Sequence, residues 1–333
     1  VFKHFIIIMT MSRIERLISE GKSRKHITQE RIDELEEDED YLKEDINCVR
    51  AFLLGNFFSC FLAMLTGLIS LLYIPSILEV LIITGNSSTP DTAFARYLRT
   101  LNHTYAWFHS ESSLSKSLIQ VRNAHIRADK SSSSKRKGQF MSQYDMVVTQ
   151  WAFVGLLYTK PSNFGLKSPS KSGLEALRRL MYKVGYFLGV EDKFNLCYGS
   201  VEMTQSYSKD ISEYIIKPAI EDPQSSVKSD EMTKILLKGI HIINPFVLPL
   251  AFGKCCFRAL ECNKKASKIR IPFFSLSNIL FWIQIFVTDF LMLSNLTRHF
   301  LVPCLNYLLR FNIYLSNLLN PSINKMKARL YAK

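Results

Sequence analysis

Residues 51–85 read AFLLGNFFSCFLAMLTGLISLLYIPSILEVLIITG. From Ala51 to Tyr73 almost every residue is apolar, with Asn56 the main polar interruption. Pro75 ends the run, and a second apolar stretch, Ile77–Ile83, follows at once. About twenty such residues are long enough to span a bilayer as a helix. The same run also suits a helix buried on all sides in a soluble core. Both readings are helical, and no convincing alternating strand pattern appears anywhere along the chain. The fold class expected is therefore all-α.

Working outward, GNSSTP at 85–90 is a loop by its turn residues. Asp91–Phe108 and Ser113–Ala128 read as two helices, followed by a basic loop, SSSSKRKG, at 131–138. Met141–Tyr158 is a further helix closed by Lys160-Pro161, 165–173 is a loop, and Leu174–Leu188 is a helix stopping at Gly189. Residues 200–233 read as polar helices broken by Pro218 and Pro223. From Ile235 on, the chain is helical and apolar with basic punctuation, and Phe273–Ser294 is a second candidate span. On the N-terminal side, 11–46 reads as a polar, solvated helical arm with an acidic stretch at Asp33–Asp45. Val1–Thr10 is too short for a signal peptide with a clear cleavage site. The division expected is an arm at 1–46, a main domain at 47–250 and an apolar, basic C-terminal extension at 251–333.

The net charge of +13 is unevenly placed. Residues 251–333 hold twelve Lys or Arg against Glu261 and Asp289, and 113–140 hold seven bases against Asp129. Basic residues set among long apolar runs point to the head groups of an anionic membrane surface. Nucleic acid is the competing reading of a basic patch, and no nucleic-acid motif supports it, so none is expected as a partner. The seven cysteines (48, 60, 197, 255, 256, 262 and 304) form no CxxC pair, which argues against a zinc site.

Three helical stretches carry chemistry. On a helix, Arg96, Arg99, Thr100 and His103 fall at i, i+3, i+4 and i+7 and share one face. A solvated face is the ordinary explanation of such a charge run. Arg122 and His125 are i and i+3 on the next helix, beside the small Ala124. An imidazole there can reach an iron, since His is the usual proximal haem ligand, although a lone helical His is more often packed or at the surface. In QYDMVVTQWAFVG, 143–155, Gly155 permits close helix packing. Asp145 can orient a His or Arg or serve as a helix N-terminal acid.

Taken in order, GLISLLYIPSILEVLIITG (67–85), ARYLRT (95–100), VRNAH (121–125), QYDMVVTQWAFVG (143–155) and VGYFLGVEDKFNLC (184–197) resemble the family of latex-clearing protein and the ER-bound oxygenase mpaB, over roughly residues 50–200. The resemblance implies a globin-related helical bundle that encloses haem b. It also implies an activity, oxidative cleavage by dioxygen of carbon–carbon double bonds in an apolar isoprenoid or lipid chain, and a location at the endoplasmic reticulum membrane. On this reading His125 is the iron ligand, and Arg122 and Arg96 lie at the cofactor. Arg96, Arg99 and Thr100 form the distal side, and Glu79 stands near a family glutamate thought to act as a base. Two residues depart from the family pattern. Arg99 replaces a lysine able to ligate iron, and a guanidinium is a poor ligand, so a closed six-coordinate state is not expected. Asp129 stands where an arginine is common.

A second reading keeps the fold without catalysis, as a membrane-associated lipid-binding protein. A transporter needs several clear spans, and at most two or three are countable. The sequons at Asn86, Asn102 and Asn295 matter only if those segments are luminal.

Overall fold

The computed structural model describes residues 12–27, 39–135, 141–244 and 247–331. Among these residues all regular structure is helical, and the one β contact is an isolated antiparallel bridge between Lys25 and Ser142. The first helix, α1 (Arg13–Arg16), runs into a π turn at Leu17–Gly21. Then follow α2 (Glu39–Gly55), α3 (Phe57–Leu71), α4 (Pro75–Thr84), α5 (Pro90–Trp107) and α6 (Glu111–Lys135). The central part continues through α7 (Gln143–Thr159), α8 (Lys171–Phe187), α9 (Val201–Ile211), α10 (Lys217–Glu221) and α11 (Ser226–Ile243). The C-terminal part comprises α12 (Pro249–Ala259), α13 (Asn263–Lys268), α14 (Leu276–Phe286), α15 (Asn295–Leu318) and α16 (Pro321–Tyr331).

The apolar run at 51–73 is two helices. They meet at Asn56, which leaves helical geometry, and their axes turn by 92°. Among the described residues no single helix is long and apolar enough to cross a membrane, and this bent pair is the one candidate by length and composition. Every residue from Ser59 to Leu71 is buried, so α3 is a core helix. It packs on α7, from which Gln150, Trp151 and Val154 are buried as well. The two backbones approach closely at Gly67, where an added Cβ would lie 2.1 Å from the carbonyl oxygen of Ala152. A turn this sharp strands backbone groups. A residue from the far end of the chain satisfies them: Asn306 on α15 accepts from the Phe58 N–H at 2.8 Å and donates to the carbonyls of Gly55 (3.0 Å) and Leu54 (3.3 Å).

Three local expectations change. The described part of the N-terminal arm is packed, not solvated: Leu17 is fully buried, Ile14 is buried, and Arg13 lies over the Tyr207 ring at 4.2 Å. Residues 131–135 of the basic loop continue α6, while 136–140 lie outside the described residues. Pro218 does not break the chain path. A wider π turn, Ser212–Ile216, precedes it, and Pro218 takes the second position of α10, where its missing N–H costs nothing.

The second candidate span resolves as the short α14 continuing into a π turn, Val287–Leu291. Phe281 seats it on Ala251 and Cys255 of α12. The outer side stays apolar: Ile279, Trp282, Ile283, Phe286 and Phe290 are exposed, and Phe274 just before the helix is 96% exposed. On α15, Phe300, Tyr307, Leu308, Phe311 and Leu318 extend this apolar surface.

Because the atoms facing Gly67 are backbone, nothing can swing aside for a new methyl group. Gly67→Ala is expected to destabilise the chain by about 3 kcal/mol, the upper part of the usual overpacking range. The shift in the urea unfolding midpoint relative to the wild type checks this.

Candidate functional site

Helices α5 and α6 form an antiparallel hairpin. Near its turn, Ser117 Oγ pairs with His103 Nδ1 at 2.9 Å and accepts from Trp107 Nε1 at 3.0 Å. Following the hairpin away from the turn brings Arg96 on α5 toward His125 on α6, close enough for its charge to act on that imidazole. The stripe of Arg96, Arg99, Thr100 and His103 is therefore split. His103 and Arg96 serve the hairpin side, and the Arg96 guanidinium donates to Ser87 Oγ at 3.1 Å. Arg99 is exposed, its Nε returned to the Ala95 carbonyl at 3.2 Å. The Thr100 hydroxyl donates to the Arg96 carbonyl at 3.2 Å. Glu79 is half-buried on α4, the helix packed against α6.

His125 is half-buried as a residue, yet its Nδ1 is sealed from solvent and has no hydrogen-bond partner among the described residues. Burial, reinforced by the nearby His26, Arg96 and His103, holds the imidazole pKa down at about 4, so the ring is neutral at physiological pH. His103 is likewise lowered to about 4, by burial first and then by the Arg99 charge. Burial is also the main influence on Arg96, whose pKa is lowered.

His26 belongs to this group, and no sequence pattern announced it. It lies almost a hundred residues upstream of His125, in a short strap that the fold lays across three elements. His26 Nδ1 pairs with the Met141 carbonyl at 2.8 Å, and its buried Nε2 has no partner among the described residues. The strap is tied down by Ile27 N–H to the Gly189 carbonyl (2.9 Å) and Gln143 N–H to the Arg24 carbonyl (2.7 Å). Gly189 has φ +95°, and a Cβ there would meet the Ile27 carbonyl at 2.2 Å, so both its conformation and its space demand glycine. Arg122 joins this knot: its guanidinium donates to the Phe187 carbonyl at the end of α8 and to the Ile27 carbonyl. Asp145 is the helix N-terminal acid. It accepts from the Ser142 N–H and hydroxyl in a capping box and from the Ser76 hydroxyl. Asp129 pairs with Lys25 of the strap at 3.5 Å.

An apolar cavity of about 270 Å³ lies among α3, α5, α7, α8, α15 and α16. Its lining includes none of Glu79, Arg96, Arg99, Thr100, Arg122 or His125. Among the described residues no cluster of three or more His, Cys, Asp or Glu side chains is placed to hold a metal ion. Comparison of the chain with family models, with curated proteins and with solved structures returned no match.

His125 binds a proton more weakly in the folded chain, at about 4, than when unfolded, near 6.5. Its contribution to stability is therefore complete above pH 6.5 and is lost as the pH falls toward 4. Between pH 7 and 5 the expected loss from this group is on the order of 1 kcal/mol, after allowance for its partial exposure. His125→Gln is expected to flatten the fall in urea unfolding free energy over that interval. An unchanged slope would show that the ring is not held neutral by the fold.

Proposed function

We propose that the chain is a haem b-dependent oxygenase that uses dioxygen to cleave a carbon–carbon double bond in an apolar isoprenoid or lipid chain, at a membrane surface, with the endoplasmic reticulum as its location. The observation that supports this most is His125, a neutral imidazole whose buried Nδ1 has no hydrogen-bond partner among the described residues. A buried, unsatisfied nitrogen costs about 1–3 kcal/mol, and a neutral imidazole is the form that ligates a metal. The donor chemistry therefore fits a haem iron. His125 would hold it, with Arg96 and Arg122 offering positive charge to the cofactor's carboxylates. Bound haem would supply dioxygen binding and activation.

The protein's own groups then have limited and separate tasks. Arg96 brings a positive charge to the side of α5 that faces His125, where it would stabilise negative charge on oxygen. Thr100 holds its proton on the Arg96 carbonyl and orients that turn of helix. Arg99 reaches the same region only by leaving its exposed position. Glu79, half-buried on α4 beside α6, is the carboxylate that would accept the proton. The exposed aromatic surface of α14 and α15, in a strongly basic C-terminal part of the chain, suits insertion at a lipid interface.

One observation favours the second reading, a lipid-binding protein that keeps the fold without turnover. The apolar cavity has its own lining and does not open on the His125 group.

Haem supplied during expression is expected to give the purified wild type a strong Soret band that His125→Ala loses. A folded wild type without that band would end the oxygenase reading. For the membrane surface, the chain is expected to float with vesicles containing about one-third phosphatidylserine and far less with neutral vesicles. Trp282→Ser with Phe286→Ser is expected to abolish flotation, and equal flotation of the double variant would remove this surface from the membrane.

A further inference from the structure

The cavity beneath α15 and α16 has a chemical asymmetry that the His125 reading does not use. Its inner wall is apolar, with Phe57, Met64, Phe153 and Leu180 among the lining side chains. The helix α15 contributes Arg310, Ile313, Tyr314 and Asn317, spaced i, i+3, i+4 and i+7, so one face of this helix borders the cavity, with Asn317 buried and the exposed Arg310 and Tyr314 at its rim. That face is fixed in place. Asn317 and Asn102 exchange side-chain hydrogen bonds at 2.8 and 3.3 Å, and Tyr331 on α16 packs edge-on against His109 at 4.9 Å. Two cations line the cavity, Arg310 and Lys327, and no aspartate or glutamate does. Neither makes an ion pair among the described residues. Lys327 is half-buried, and that burial lowers its ammonium pKa, a penalty that an anion would relieve.

We propose that this cavity binds a single-chain amphiphile with an anionic head group, the chain lying among Phe57, Met64, Phe153 and Leu180 and the head held by Arg310 and Lys327. The volume fits one chain: it falls just below the usual range for small-molecule pockets, roughly 300–1,000 Å³. The exposed Tyr307, Phe311 and Leu318 on the adjoining side of α15 place the entrance next to the surface suited to lipid, from which such a ligand would arrive. No lining residue is shared with the His125 group, so this site stands or falls apart from the haem reading.

The test is displacement of dansyl-labelled undecanoic acid from the full chain. Palmitate is expected to displace the probe about tenfold better than hexadecanol, which has the chain but no charge. Hexadecyl phosphate is the second anionic competitor. Stronger displacement by palmitate assigns the head to a carboxylate and stronger displacement by the phosphate assigns it to a phosphate; both outcomes support the site. Arg310→Gln with Lys327→Gln is expected to remove the advantage of the anions over hexadecanol while leaving thermal unfolding unchanged. Ile313→Trp, which fills the apolar part, is expected to abolish binding of all three. Equal binding of palmitate and hexadecanol, an unaltered preference in the double variant, or undiminished binding to Ile313→Trp would each overturn the proposal.

Discussion

The near-contact of two backbones at Gly67 and Ala152 is the constraint on which the rest of the structure depends. It lets α3 lie directly on α7 with no side chain between them, and α7 then serves as the internal axis. From α7, Gln150 holds the turn after α8: it donates to Asn195 Oδ1 and the Met181 carbonyl and accepts from the Leu196 N–H. Trp151, fully buried, reaches the Ser208 carbonyl on α9. The capping box at Ser142 and Asp145 fixes where α7 begins, and through Ser76 it fixes the start of α4 as well. The hairpin of α5 and α6 is thus laid against a frame whose spacing was set elsewhere.

The helical character was legible because periodicity and turn residues act over a few neighbours. The limits of α5, α7 and α8 fell within a few residues of the stretches read as Asp91–Phe108, Met141–Tyr158 and Leu174–Leu188. What was not legible came from long-range packing. Asn56 reads as a polar interruption, but nothing nearby in the chain says that the helix turns there by 92° and that Asn306 closes the turn. Helical geometry placed Arg96, Arg99, Thr100 and His103 on one face. Which of them turn inward depends on α6, so Arg99 came out exposed. His26 and Ile27 carried no signal, since their importance lies in meeting Gly189 and Met141 across the fold.

The chemistry-bearing residues and the apolar space are separated in this molecule. The imidazoles gather where α5, α6 and the strap converge, with burial first and nearby positive charge second (Arg96 among the groups around His125, Arg99 at His103) keeping both neutral. The cavity lies instead beneath α15 and α16, and the opposite side of α5 contributes Leu101, Asn102 and Tyr105 to it. One helix therefore forms a wall of both regions, and its two sides differ in kind: guanidinium and imidazole on one, an amide pair and apolar groups on the other.

Asn306 gives the C-terminal part a role that its composition alone would not suggest. The helix bearing the outward aromatic groups is the same helix that seals the elbow between α2 and α3. If lipid drew α15 away from the body, the amide would leave with it, and the carbonyls of Leu54 and Gly55 would face an unpaired environment. The position of α15 and the integrity of the central helices are therefore mechanically coupled. Whatever docks on the outer side of α15 must leave that helix in place, or it loosens the joint on which the buried helices turn.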